Sequence, residues 1–143
     1  MKKLVWIFCV LAILCGCYSE ARIKRETISD IEANKSNISE IAKYIVERNI
    51  NNIKVRKMDN TTYKIILKKM CVRHIWVDYK NPVNPQNDSV VNFSRHNMLY
   101  GKYRVWISYY FGKSERTKND YEVIVDKNIR MYMYKRMGRI SID

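Results

Sequence analysis

Histidine, glycine, proline and acidic side chains are all scarce in this chain of 143 residues. Its two histidines, His74 and His96, have no metal-ligand spacing, and its four glycines form no phosphate-cradling loop. No nucleophile elbow is present either. The longest apolar run, Leu4 to Leu14, falls short of the roughly 20 residues that a membrane-spanning helix needs. With the signatures of metal, phosphate and serine-nucleophile chemistry missing, the expectation is a protein that binds rather than catalyses, with no cofactor.

What is present begins at the N-terminus. Lys2 and Lys3 give a positive head, Leu4 to Leu14 an apolar run, and Leu14-Cys15-Gly16-Cys17 an ending with a small residue before a cysteine. That order reads as a secretion signal and not as part of a fold. The last four residues resemble the lipobox of bacterial lipoproteins: an aliphatic residue, a variable one, Gly or Ala, then the Cys that becomes lipidated and N-terminal. The resemblance covers the signal alone and implies lipidation at Cys17. Cys15 fits less well, because Leu14 is bulky where the peptidase takes a small residue. An ordinary signal peptide that contains cysteines, or an uncleaved anchor, is the alternative. Lipoprotein processing would put several acyl chains on Cys17. At about 0.8 kcal/mol per buried methylene, more than one chain gives an anchor that does not readily leave the bilayer. In enteric bacteria a residue other than Asp after the lipidated cysteine implies passage to the outer membrane, and here that residue is Tyr18. The resemblance therefore implies an envelope protein in the outer membrane facing the periplasm, in preference to the inner membrane.

Removing Lys2 and Lys3 with the signal takes the 27 basic residues to 25 against an unchanged 14 acidic ones, a net of +11. Such a balance speaks to partners and solubility, not to fold. Phosphate contacts with nucleic acid draw on this kind of excess, but the signal argues against that partner. Outside the inner membrane the available polyanions are phospholipid headgroups, lipopolysaccharide, wall polymers and acidic protein surfaces. Near an anionic membrane each basic side chain contributes about 1 kcal/mol. The same charge would also serve simply as a solvated surface. Of the four cysteines, Cys9 and Cys15 leave with the signal and Cys17 is acylated, so only Cys71 remains. No intramolecular disulfide is expected, and the exported domain must rest on its hydrophobic core.

Three units follow from this reading: a signal peptide over 1–16, the lipidated Cys17 with a tether over 17–35, and a single α+β domain over 36–143. The polar tract Tyr18 to Glu26 has no apolar period and suits a tether. Ile38, Ile41, Ala42, Ile45 and Val46 recur at helical steps, which predicts a helix from Ser36 to Asn49, with Asn37 and Glu40 as its N-terminal cap. Ile28 and Ile31 could extend the stripe backward. Ile53 and Val55 then alternate with Lys54 and Arg56, and Asp59-Asn60 marks a turn into a run over Tyr63 to Leu67, suggesting a hairpin. Tyr63 to Tyr79 reads as one bent strand or two in sequence, although Tyr63, Ile66, Leu67, Met70, Cys71 and His74 also fit a helical face. Asn81 to Asn97, with both prolines, reads as a long loop. Tyr103–Phe111, Tyr121–Val125 and Ile129–Met137 read as a three-stranded antiparallel meander. The expected plan is an N-terminal helix packed on a curved antiparallel sheet, similar in layout to cystatin-like or nuclear transport factor-like domains. No motif carries that likeness, and layout does not give function.

The last strand holds the clearest binding signal. Alternation sends Ile129, Met131, Met133 and Met137 one way and Arg130, Tyr132, Tyr134 and Arg136 the other. Arg104, Trp106 and Tyr110 extend that basic aromatic stripe onto the neighbouring strand. Tyr, Trp and Arg dominate protein interfaces and stack on sugars or bases. They also serve to cover the solvent side of a sheet. A Cys71–His74 dyad is conceivable, as are carboxylate pairs Glu40 with Glu47 and Asp120 with Glu122, but a buried cysteine and solvated acids are far commoner, and the expectation is against an enzyme. Two functions of different class remain. One is a membrane-tethered module that captures a protein partner, as an immunity or exclusion factor does. The other is a structural envelope protein whose basic surface binds anionic lipid, lipopolysaccharide or wall polymer.

Overall fold

Ser19 starts the first helix. Its Oγ accepts a hydrogen bond from the Arg22 amide at 3.3 Å, and Glu20 places negative charge in the first turn, where the helix dipole favours it. Two i,i+4 ion pairs, Lys24 with Glu20 at 2.8 Å and Arg22 with Glu26 at 2.9 Å, line the exposed side. Ile23, Thr27 and Ile31 line the buried side. The computed structural model, which describes residues 19–79, 88–97, 100–112 and 121–136, thus has a helix α1 over Glu20–Ala33. The segment expected to be a tether within 17–35 is helical from Glu20. Its buried residues lie four apart, at Ile23, Thr27 and Ile31, and only two of the three are apolar, which is too sparse to stand out among its charges.

Helix α2 spans Lys35–Glu47 and buries the five residues that predicted it. Its N-cap position is Asn34, which makes no side-chain capping bond, so the expected Asn37 and Glu40 cap is absent. The helix ends through Asn49, at φ +53°, a conformation Asn tolerates better than most residues. Helix α3, Thr61–Lys69, replaces the expected second arm of a hairpin. Asn60 decides this locally, because its Oδ1 accepts from the Tyr63 amide at 3.0 Å and caps the helix. Leu67 and Met70 then pack inward. Cys71, at φ +58°, turns the chain into the sheet.

Among the described residues six strands, β1 (Asn52–Lys54), β2 (Val72–Tyr79), β3 (Ser89–Arg95), β4 (Tyr103–Tyr110), β5 (Glu122–Ile124) and β6 (Ile129–Lys135), form one sheet in the order β1-β2-β3-β4-β6-β5. Every pairing is antiparallel. The fold is α+β, with helices packed on a curved, unclosed sheet. Two expectations change here. Part of the expected loop Asn81–Asn97 is the central strand β3, while residues 80–87 lie outside those described. Ser89 and Asn92 give β3 the look of a loop, yet both are buried, Asn92 with its amide hydrogen-bonded across the sheet to Asp78 and Ser108. The C-terminal strands are also not a simple meander, since β6 inserts between β4 and β5. The short turn at Asp126 to Asn128, closed by the Ile129 amide donating to the Asp126 carbonyl at 3.2 Å, folds β6 back beside β5 and leaves β5 at the edge.

Beneath the helices lies a single core. Ile23, Ile31, Ile38, Ile41 and Ile45 meet Ile75, Val91, Phe93, Ile107 and Met131 there. Met137, expected on the same face, lies outside the described residues. Phe93 is 1% exposed at the middle of the sheet. Replacing it with Ala is expected to destabilise the fold by about 3–5 kcal/mol, read as a lower urea midpoint at an unchanged m-value.

Candidate functional site

The sheet face turned away from the helices is built from residues of opposite parity to the core. Register places Trp76, Asn92, Ser108 and Arg130 in one row across β2, β3, β4 and β6. His74, Ser94, Trp106 and Tyr132 form the next row. The first row is a polar ladder: Ser108 Oγ donates to Asn92 Oδ1 at 2.6 Å, and Asn92 Nδ2 donates to Asp78 Oδ2 at 2.7 Å. Ser108 and Asn92 are nearly inaccessible, so each must satisfy its polar atoms within the sheet.

Arg130 does not belong to an open stripe as alternation alone suggests. Its side chain is 5% exposed and its Nη1 donates to the 6% exposed Glu122 of β5. Burial works against the charged guanidinium, but the hydrogen bond and charge of Glu122 outweigh it and hold the group above its ordinary value. Glu122 also accepts from the Tyr132 hydroxyl at 3.0 Å. Because the Tyr132 proton is committed there, Tyr110 donates in the 2.5 Å contact between the two hydroxyls. The Arg130 guanidinium lies 4.8 Å from the Tyr110 ring centroid. Arg130, Tyr110 and Tyr132 are therefore structural members of the face, occupied with one another.

Tyr132 in turn orients Trp106. Their rings stack at 5.3 Å with an 11° interplanar angle, and Tyr134 meets Trp106 edge-on at 5.4 Å. Beside this stack opens a pocket of about 580 Å³. Arg104, Trp106, Tyr134 and Arg136, all expected in the binding stripe, line it, whereas Arg130, Tyr110 and Tyr132 do not. His74, Trp76 and Lys102 also line it and were missed from sequence. The signal for two of them lay in the alternation of His74, Trp76 and Asp78, hidden while Tyr63–Tyr79 was read as undivided. No Asp or Glu is among the lining residues.

The remaining sequence candidates do not converge. Cys71 sits in the turn before β2, whereas His74 is within β2, where its Nε2 meets Asn52 Oδ1 and its ring tilts against Trp76 at 6.0 Å. A shared helical face for Cys71 and His74 does not exist. Glu40 and Glu47 are solvent-exposed on α2, and Asp120 lies outside the described residues. Cys17 likewise lies outside them. Among the described residues no group of three or more His, Cys, Asp or Glu side chains could hold a metal ion. Comparison with protein-family models, with curated proteins and with solved structures found no match for this chain.

Two outcomes test that geometry. Glu122→Ala leaves a buried guanidinium unpaired and is expected to cost about 3–5 kcal/mol, whereas replacing both partners, Arg130→Met with Glu122→Leu, recovers most of the loss in chemical denaturation. Burial, then the bond shared with Tyr110, pushes the Tyr132 phenol well above its ordinary value. A phenol harder to ionise when folded stabilises the fold below about pH 10, and that contribution is lost as pH rises beyond it. Stability should thus fall above about pH 10, and Tyr132→Phe should flatten that alkaline limb in pH-dependent unfolding.

Proposed function

We propose that this protein is a non-catalytic binding module, held at the membrane through lipid on Cys17, that captures an envelope partner with the outer face of its sheet. The observation that carries the reading is the pocket beside Trp106, in which Lys102, Arg104 and Arg136 stand among Trp76, Trp106 and Tyr134 with no lining carboxylate. Large rigid rings with polar tips give contact area at low entropic cost, and arginine supplies directed charge. A protein partner with an acidic surface suits such a face, as an incoming toxin or phage component suits an immunity or exclusion factor. No helix among the described residues is long and apolar enough to cross a membrane.

The uniform charge of the pocket favours a second reading, an envelope protein that binds anionic lipid, lipopolysaccharide or wall polymer. Salt separates the two. A protein complex is stoichiometric and survives moderate salt, whereas polymer binding weakens steeply with it.

The anchor is tested by intact mass. Protein purified from membranes of its own host should have the mass of residues 17–143 plus acyl groups on Cys17, whereas a Cys17→Ala variant carries no acyl mass and keeps residues 1–16, and an unmodified soluble full-length chain overturns the tethered reading. Arg104→Glu and Trp106→Ala should each abolish retention of the partner from an envelope fraction while leaving the circular dichroism spectrum unchanged. Undiminished capture by both variants overturns the assignment of the face.

A further inference from the structure

The pocket has a slot whose width is set by the sheet. Ser94 of β3 lies between His74 of β2 and Trp106 of β4 in one cross-strand row. Two strand spacings separate β2 from β4, roughly 9–10 Å, and Ser94 is too small to fill the gap. A ring held at van der Waals contact, about 3.5–4.0 Å from each wall, needs about 7–8 Å between them. Tyr132 closes the far side of Trp106 by stacking on it, which leaves the Ser94 side as the approach.

Cations surround this slot. Arg104, Arg136 and Lys102 line the same pocket. Arg95 has the parity of Val91 and Phe93 and turns to the helix side, where its Nη2 pairs with Asp30 at 2.5 Å, so it adds nothing to the charge over the slot. An extended peptide is a poor occupant, because β2, β3 and β4 are paired with neighbours on both sides and offer no free edge for a further strand. A ring carrying concentrated negative charge fits both features.

We infer that this pocket binds a phosphorylated sugar, with the sugar ring over Ser94 between Trp106 and the His74–Trp76 side, and the phosphate among Arg104, Arg136 and Lys102. Trp and Tyr faces take the C–H face of a sugar, and guanidinium groups take phosphate through paired N–H donors. The inference rests on the reading of this face as one that binds an anionic envelope polymer, and it names the unit of that polymer which is recognised. The sugar phosphate could be a free molecule or the headgroup of a glycolipid.

Titration of the full chain, followed by calorimetry and by the fluorescence of Trp76 and Trp106, tests it with N-acetylglucosamine 1-phosphate, unphosphorylated N-acetylglucosamine, inorganic phosphate and uridine monophosphate. The sugar phosphate is expected to bind at least tenfold more tightly than each of the others. Trp106→Ala should weaken it at least tenfold while leaving phosphate binding unchanged, Trp106→Phe should restore most of it, and Arg104→Ala with Arg136→Ala should weaken both. Phosphatidylcholine vesicles carrying a phosphorylated glycolipid should retain the protein, and competition by the free sugar phosphate places the headgroup in the same pocket. Vesicle retention that the free sugar phosphate fails to displace overturns the assignment. Equal affinity for phosphate, for the bare sugar or for the nucleotide overturns it as well, as does binding that Trp106→Ala leaves intact. If no sugar phosphate binds yet Arg104→Glu still abolishes capture from the envelope fraction, this inference fails alone. If capture also persists in that variant, the binding face fails with it.

Discussion

Arg130 sits buried in the sheet face that the helices do not cover, and its charge is tolerable there only because Glu122 meets it. That one ion pair joins the edge strand β5 to β6. Through Glu122 it also holds the Tyr132 hydroxyl, and through Tyr132 it reaches Tyr110 and the Trp106 ring. The outer face is therefore a connected assembly and not a set of separate side chains. Its orientation is fixed before any ligand arrives, which lowers the ordering cost of binding.

The two faces of the sheet divide the work. The helix side is filled by isoleucine, valine and methionine around Phe93, a non-directional packing that sets stability. The other side uses hydrogen bonds and ring contacts whose directions are specific, from the Asp78-Asn92-Ser108 ladder to the aromatic stack. Such a network tolerates few changes within it, yet it leaves the rim residues Arg104 and Arg136 exposed and available to a partner.

Much of the fold was legible where periodicity was dense. Helix α2 announced itself through five buried residues on one stripe, and β4 and β6 through strict alternation of apolar with polar or aromatic side chains. Helix α1 was not legible, because Ile23, Thr27 and Ile31 are widely spaced and the charges between them satisfy one another in ion pairs. Strand β3 was missed for a different reason. Its Ser89 and Asn92 look like loop residues, but hydrogen bonding across the sheet allows Asn92 to be buried. In α3 the β-branched residues favoured a strand, and the Asn60 cap overrode that local preference.

Arg104, Trp106, Tyr134 and Arg136 could be placed on one face from their own strands, since side-chain direction in a strand depends only on parity. What parity could not supply was the neighbour. Only the tertiary structure put β3 between β2 and β4, with small Ser94 between His74 and Trp106, and so made a stripe into a pocket. Only it withdrew Arg130 from the stripe, by bringing Glu122 from across a turn to neutralise it. The sequence by itself determined the charge, the α+β layering and the parity of each strand, because those follow from composition and local period. Strand order, and with it the choice between a buried ion pair and an exposed binding residue, was decided by long-range pairing that no local pattern encodes.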